Sequence, residues 1–213
     1  MKTILVTGFG LFGGHEQNPT QFIANSLNGL TVADAHVVGI TLPVVYGEDT
    51  RLVFDAIERY RPHTILSLGL SAGSDCAHVE MFAVNHRNGD GDSLQPILPG
   101  APAAYFATID VDRIAAAITG AGIPAVRHGY AGSYLCNHIF YQTLHRVATR
   151  SLPIQVGFIH LPHASEHVPS DIPSLPLALM QEGIRVAIEE AVASDSCVSV
   201  AGGIGNNRLG PVS

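Results

Sequence analysis

Apolar residues fall along this chain in short unbroken runs, separated by stretches of helical period. The runs at 3–7, 36–42, 63–68, 79–85, 125–128 and 154–160 are mostly Ile, Val, Leu and other apolar residues. Near-continuous apolarity over such lengths marks strands covered on both faces, the usual state of a parallel sheet. Between the strands lie helices. Asn18 is placed to cap one that carries Pro19 in its first turn and runs to about Leu27. A second is predicted over 48–60, with Leu52, Val53 and Ile57 on one face and Pro62 ending it. Others are expected over 112–121, 137–148 and 175–193. Strand and helix in alternation predict an α/β fold, an open and mostly parallel sheet with helices on both faces.

No repeat and no linker divides the chain, so residues 1–193 read as one domain. After Ser194 the sequence turns small and Gly-rich, which predicts a loosely ordered tail over 194–213. The polar cluster at 86–93 reads as a surface loop.

Composition narrows the function. Apolar residues make up 46% of the chain and charged ones 14%, the balance of a packed globule. A net charge of -7 with 11 basic residues offers no footprint for nucleic acid. No window of 18 apolar residues exists to span a membrane. The apolar start is too short for a secretory signal, so a cytoplasmic protein is expected. Three cysteines, an odd number, do not make a disulfide framework.

Four features bear on chemistry. Gly8-Phe-Gly-Leu-Phe-Gly13 follows the first strand and matches G-x-G-x-x-G. In a dinucleotide site the helix begins inside that motif, whereas here His15-Glu-Gln17 precede the cap at Asn18. Phe9, Leu11 and Phe12 suit an apolar ligand cleft instead, or ordinary packing under a turn. Second, Cys136 stands where a small-residue turn, Gly129-Tyr-Ala-Gly-Ser-Tyr, leads into a helix. A helix N-terminus favours the thiolate, and its free N–H groups suit an oxyanion; a buried structural thiol is the alternative. Third, His160 ends an apolar strand and so is a candidate base for that thiol. Fourth, Glu80 is the one charge within Val79-Glu-Met-Phe-Ala-Val84, and orienting an imidazole would compensate its burial. A competing reading takes His160, His163, Glu166 and His167 as ligands of a metal-dependent hydrolase.

The motifs Thr7-Gly-Phe9, Phe12-Gly-Gly14, Asn18-Pro-Thr20, Leu42-Pro-Val44, Ala83-Val-Asn85, Pro99-Gly-Ala-Pro102, Tyr134-Leu-Cys-Asn137 and Gly157-Phe-Ile-His160 together closely resemble the pyroglutamyl-peptidase I family, in collinear order over residues 1 to about 193. The resemblance implies a three-layer α/β/α sandwich, a thiol exopeptidase that removes N-terminal 5-oxoproline from peptides, no cofactor, and a homotetramer. It places Glu80, Cys136 and His160 in the catalytic positions, Phe9 and Phe12 around the lactam ring, and the Leu70 backbone against the lactam amide. The chain departs from the family in having Ser74 and Met81 where arginines are common. Its shorter loop after Asn85 leaves Arg87 as the candidate cleft cation. A non-catalytic ligand-binding relative of the fold is the remaining alternative.

Overall fold

A computed structural model describes residues 1–11, 17–88 and 93–198, with side chains through residue 194. In chain order the strands are β1 (Lys2–Phe9), β2 (Thr31–Val32), β3 (Ala35–Leu42), β4 (Thr64–Leu70), β5 (Ala77–Val84), β6 (Arg87–Asn88), β7 (Leu94–Gln95), β8 (Ala104–Phe106), β9 (Ala125–Tyr130), β10 (Gln155–Leu161), β11 (His163–Ala164) and β12 (Ser174–Leu175). The helices are α1 (Pro19–Leu27), α2 (Glu48–Tyr60), α3 (Val111–Gly120), α4 (Leu135–Thr149) and α5 (Leu177–Val198).

The principal sheet runs β2-β3-β1-β4-β10-β5-β8, with β9 paired to β5. Strands β3, β1, β4 and β10 are parallel; β5 turns antiparallel to β10, and β9 runs parallel to β5. Alternation of side chains along each strand divides the core in two. Ile4, Val6, Leu66, Leu68 and Ile159 face Ile23, Ile114, Ile118 and Ile184, the apolar stripes of α1, α3 and α5. Leu5, Ile65, Val156 and Phe158 face Val53, Ile57, Ile139 and Phe140 from α2 and α4. This is the expected three-layer α/β/α arrangement. Each buried Leu, Ile or Phe stabilises it by roughly 1.5–3 kcal/mol. Packing of these faces outweighs the tenths of a kcal/mol per residue by which helix propensities differ.

Local chemistry sets the α1 boundary. Asn18 Oδ1 accepts from the Thr20 N–H at 3.1 Å and from the Thr20 hydroxyl at 2.8 Å. The Asn18 amide donates to the Gly10 carbonyl at 3.0 Å, and Thr20 Oγ1 accepts from the Phe9 N–H at 3.1 Å. A cap of this kind contributes about 1 kcal/mol. Gly8 lies so close to α1 that a Cβ there would stand 2.0 Å from the Thr20 carbonyl oxygen. The first glycine of the motif thus serves backbone-to-backbone packing against a carbonyl, the wrong polarity for a pyrophosphate. Helix α5 continues to Val198, past the predicted end at 193; the rest of the Gly-rich tail lies outside the described residues.

Candidate active site

Three neighbouring strands gather polar residues on the side of the sheet that α4 covers. In the ladders, His160 of β10 stands opposite Gly69 of β4 and opposite His78 of β5, while Glu80 stands opposite His128 of β9. His78 and Glu80, two residues apart on one strand, share a face. The site therefore lies toward the carboxyl ends of β1, β4 and β10, where open α/β sheets hold their ligands.

Glu80 is fully buried. Its Oε1 lies 2.6 Å from His160 Nδ1 and its Oε2 lies 2.8 Å from His128 Nδ1. An isolated buried carboxylate would be destabilising by several kcal/mol, and these two charge-assisted contacts offset that. With Nδ1 taken by Glu80, the other ring nitrogen of His160 is left for Cys136, with which the imidazole shares a side-chain hydrogen bond. Burial alone pushes the His160 pKa down. The Cys136 sulfur and the Glu80 carboxylate outweigh it and raise the value to about 9. The cationic form of the imidazole is thereby favoured. His78, half-buried, is pushed the other way by desolvation and by the neighbouring His128.

Gly69 makes room for this pair. A Cβ there would lie 2.8 Å from Cys136 Sγ, 2.8 Å from the Phe158 ring and 2.9 Å from His160 Cδ2. Any side chain at 69 would occupy the gap across which thiol and imidazole meet.

Cys136 sits in the first turn of α4, as the small-residue turn before it predicts. Tyr134, the cap residue, gives no side-chain hydrogen bond, and the first-turn N–H groups have no acceptor within the helix. Position is fixed instead by the next residue. Buried Asn137 accepts from the Val84 N–H at 2.9 Å and donates to the carbonyls of Val84 and His86 at 2.9 and 2.8 Å. That clamp ties the thiol-bearing turn to the end of the strand that carries Glu80.

Beside the sulfur is a small apolar pocket lined by Phe9, Val44, Leu70, Tyr134, Leu135 and Cys136. Phe9 and Leu70 are thus part of one pocket lining, whereas Phe12 lies outside the described residues. Arg87 is drawn toward the same rim: its guanidinium lies 4.8 Å from the centre of the Tyr46 ring, which meets Tyr134 edge-on at 5.7 Å.

The proposed ligand cluster at 160–167 is not favoured. His160 is committed to Glu80 and Cys136, and both Glu166 oxygens accept from the Leu177 N–H at 3.1 Å, at the start of α5. Hydrogen bonds from its own N–H and from Leu177 hold the Glu166 carboxyl below its ordinary range. It acts as a helix cap, which the run of histidines hid.

Sequence reasoning did not find Gly69, Asn137, His78 or His128. The spacing of His78 and Glu80 on one strand carried a signal for the third of these. The pairing of His128 with Glu80 exists only in the sheet.

The sequence profile described as "Pyroglutamyl peptidase" matches residues 2–194. A pyrrolidone-carboxylate peptidase of Pyrococcus furiosus is 38% identical over 202 residues, covering 89% of this chain and 97% of the relative. That of Mycobacterium marinum is 36% identical over 206 residues, covering 90% and 93%. Among solved structures, the pyrrolidone carboxyl peptidase of the hyperthermophile P. furiosus superposes with a TM-score of 0.86 at 36% identity, covering 90% of this chain and 99% of that one.

Proposed function

The chain belongs to the pyroglutamyl peptidase family, and from that premise we propose that it is a cysteine exopeptidase that removes an N-terminal pyroglutamyl residue from peptides, with Cys136 as nucleophile, His160 as general base and Glu80 as its orienter. The observation that carries these roles is the continuous line from sulfur to imidazole to buried carboxylate, ending beside an apolar pocket.

In this reading His160 takes the thiol proton, and the raised pKa of the imidazole favours the thiolate–imidazolium pair. The thiolate attacks the pyroglutamyl carbonyl, and the uncapped N–H groups of the first α4 turn receive the oxyanion. The imidazolium protonates the departing amine. Water, deprotonated by the same ring, then cleaves the thioester. Glu80 keeps the ring in the tautomer and rotation that each step needs. An uncharged five-membered lactam fits a slot walled by Phe9, Val44 and Leu70 better than a charged amino terminus would. Phe12 remains part of the proposed wall through the family resemblance alone. Arg87 at the rim is proposed as a cleft cation.

The profile match over 2–194 supports reading residues 1–193 as one peptidase domain. We further infer a homotetramer working in the cytoplasm without nucleic-acid, membrane or cofactor partners. No described helix is long and apolar enough to cross a membrane, and Phe106, Val126 and Tyr130 leave an exposed apolar surface on β8 and β9 for contact between copies.

The test is hydrolysis of a pyroglutamyl chromogenic amide, with a prolyl amide as control. Cys136→Ser is expected to lower turnover by roughly 10³-fold or more, the scale seen when a catalytic unit is broken. Cys76→Ser is expected to keep it. Equal rates for wild type and Cys136→Ser would remove the assignment.

A further inference from the structure

We propose that His78, Glu80 and His128 form a binding site for a divalent transition-metal cation of the zinc type, on the opposite edge of the Glu80 carboxylate from His160. One ligand atom from each of the three lies within 4.8 Å of the other two. The arrangement follows from the sheet: two positions of β5 on one face and, across the ladder, the β9 residue paired with Glu80. The two imidazoles are neighbours, stacked with ring centres 4.5 Å apart and planes 18° from parallel, and binding turns at least one of them so that both in-plane lone pairs meet the ion. Ser74 Oγ lies 2.9 Å from His78 Nε2 and gives that ring an outer hydrogen-bond partner.

The donor set selects the ion. Two imidazoles and one carboxylate suit zinc, cobalt or nickel, whereas calcium and magnesium need more oxygens. Zinc–ligand distances of about 2.0–2.2 Å place donors of one tetrahedral ion roughly 3.4 Å apart. Rotation of the side chains away from the stacked, metal-free arrangement is needed to bring the three groups to that spacing. Glu80 is buried but the His128 side chain is 45% exposed, which opens a path to solvent and leaves room for water in the remaining coordination position. Without metal, Oε2 and His128 Nδ1 share a hydrogen bond at 2.8 Å. The cation takes the place of that proton, which moves to the other ring nitrogen of His128 or to solvent.

The same carboxylate holds His160 through Oε1 at 2.6 Å. A cation on Oε2 withdraws negative charge from the group that supports the imidazolium, so occupancy inhibits the peptidase reversibly. This consequence rests on the peptidase reading; binding itself does not.

Binding is measured first, with cobalt(II) chloride and zinc chloride titrated into full-length Cys136→Ser protein, which removes the competing catalytic thiol. Calorimetry and the visible absorption of cobalt are the readouts. One cation per chain is expected. His78→Ala and His128→Ala are each expected to weaken binding at least tenfold, no less than the loss of an outer partner of a metal ligand. The double variant His163→Ala/His167→Ala is expected to bind like its parent. Thermal melts establish that each variant is folded, with His78→Gln and His128→Gln as milder replacements. No heat and no cobalt absorption up to millimolar metal would overturn the proposal, as would equal affinity in parent and both histidine variants. Inhibition is then read with the Cys136 protein on the pyroglutamyl amide, where His78→Ala is expected to need at least tenfold more zinc. Equal inhibition of both proteins would overturn the regulatory consequence. Metal binding in protein that never hydrolyses the amide would refute the peptidase reading and leave the metal site standing.

Discussion

Replacing Gly69 by Ala is a sharp test of the site, because one methyl group is set against three neighbours at once. Carbon atoms pack without strain at about 3.5–4.0 Å. The added Cβ would stand 2.8 Å from Cys136 Sγ, 2.8 Å from Phe158 and 2.9 Å from His160. Each contact is therefore too short by roughly 1 Å, and β4 is central in the sheet, so its backbone does not yield easily. The overpacking should destabilise the fold by about 1–3 kcal/mol. For a chain of this size that lowers Tm by roughly 2–12 °C. It leaves the protein folded at assay temperature, since domains hold about 5–15 kcal/mol in reserve. Geometry, not unfolding, should therefore dominate the loss. Pushing thiol and imidazole apart by about 1 Å is expected to lower kcat on the order of 10²-fold. The assay pairs steady-state kinetics on a pyroglutamyl amide with calorimetric melting. It also includes the rate of iodoacetamide labelling at Cys136, which should slow if the imidazole no longer shares the sulfur's proton. Wild-type kcat in a folded Gly69→Ala protein would refute the placement of the thiol over β4.

The other expectations are briefer. Asn137→Ala removes three partly buried hydrogen bonds and strands the Val84 N–H, so a loss of about 1–3 kcal/mol is expected in denaturant unfolding, with kcat reduced in the protein that remains folded. Arg87→Ala is expected to lower turnover on the order of 10²-fold if the guanidinium orients or stabilises charge at the rim, with Arg87→Lys recovering only part; unchanged rates in both would make it a loop residue stacked on Tyr46. Light scattering at micromolar concentration is expected to give a tetramer, and Phe106→Glu, at a residue 70% exposed, should shift it toward smaller species; a wild-type monomer would contradict the assembly.

How much of this was written in the chain can be judged residue by residue. The periodicity placed the five α-helices of the described residues and the long strands, because a stripe or run of apolar side chains must be buried wherever it occurs. The α1 start was legible in Asn18-Pro19, since a cap acts on N–H groups within three residues of itself. Cys136 at a helix start and His160 at a strand end were candidates for the same local reason. That the two belong together was not local. It depends on β10 lying between β4 and β5, an order that short apolar runs do not encode. The short strands β2 and β8 escaped notice because their side chains are partly exposed and carry little pattern. Glu80 looked anomalous in sequence, yet only pairing across the sheet shows one carboxylate shared between His160 and His128. Gly69 had no signature at all, being one small residue in an apolar strand. Its meaning lies in the sulfur and the imidazole that converge over it from α4 and β10, segments more than 60 residues away in sequence. Local rules thus fixed what each segment became. The grouping of Cys136, His160 and Glu80 arose only when strand order, set by burial on both faces of one sheet, brought those segments into contact.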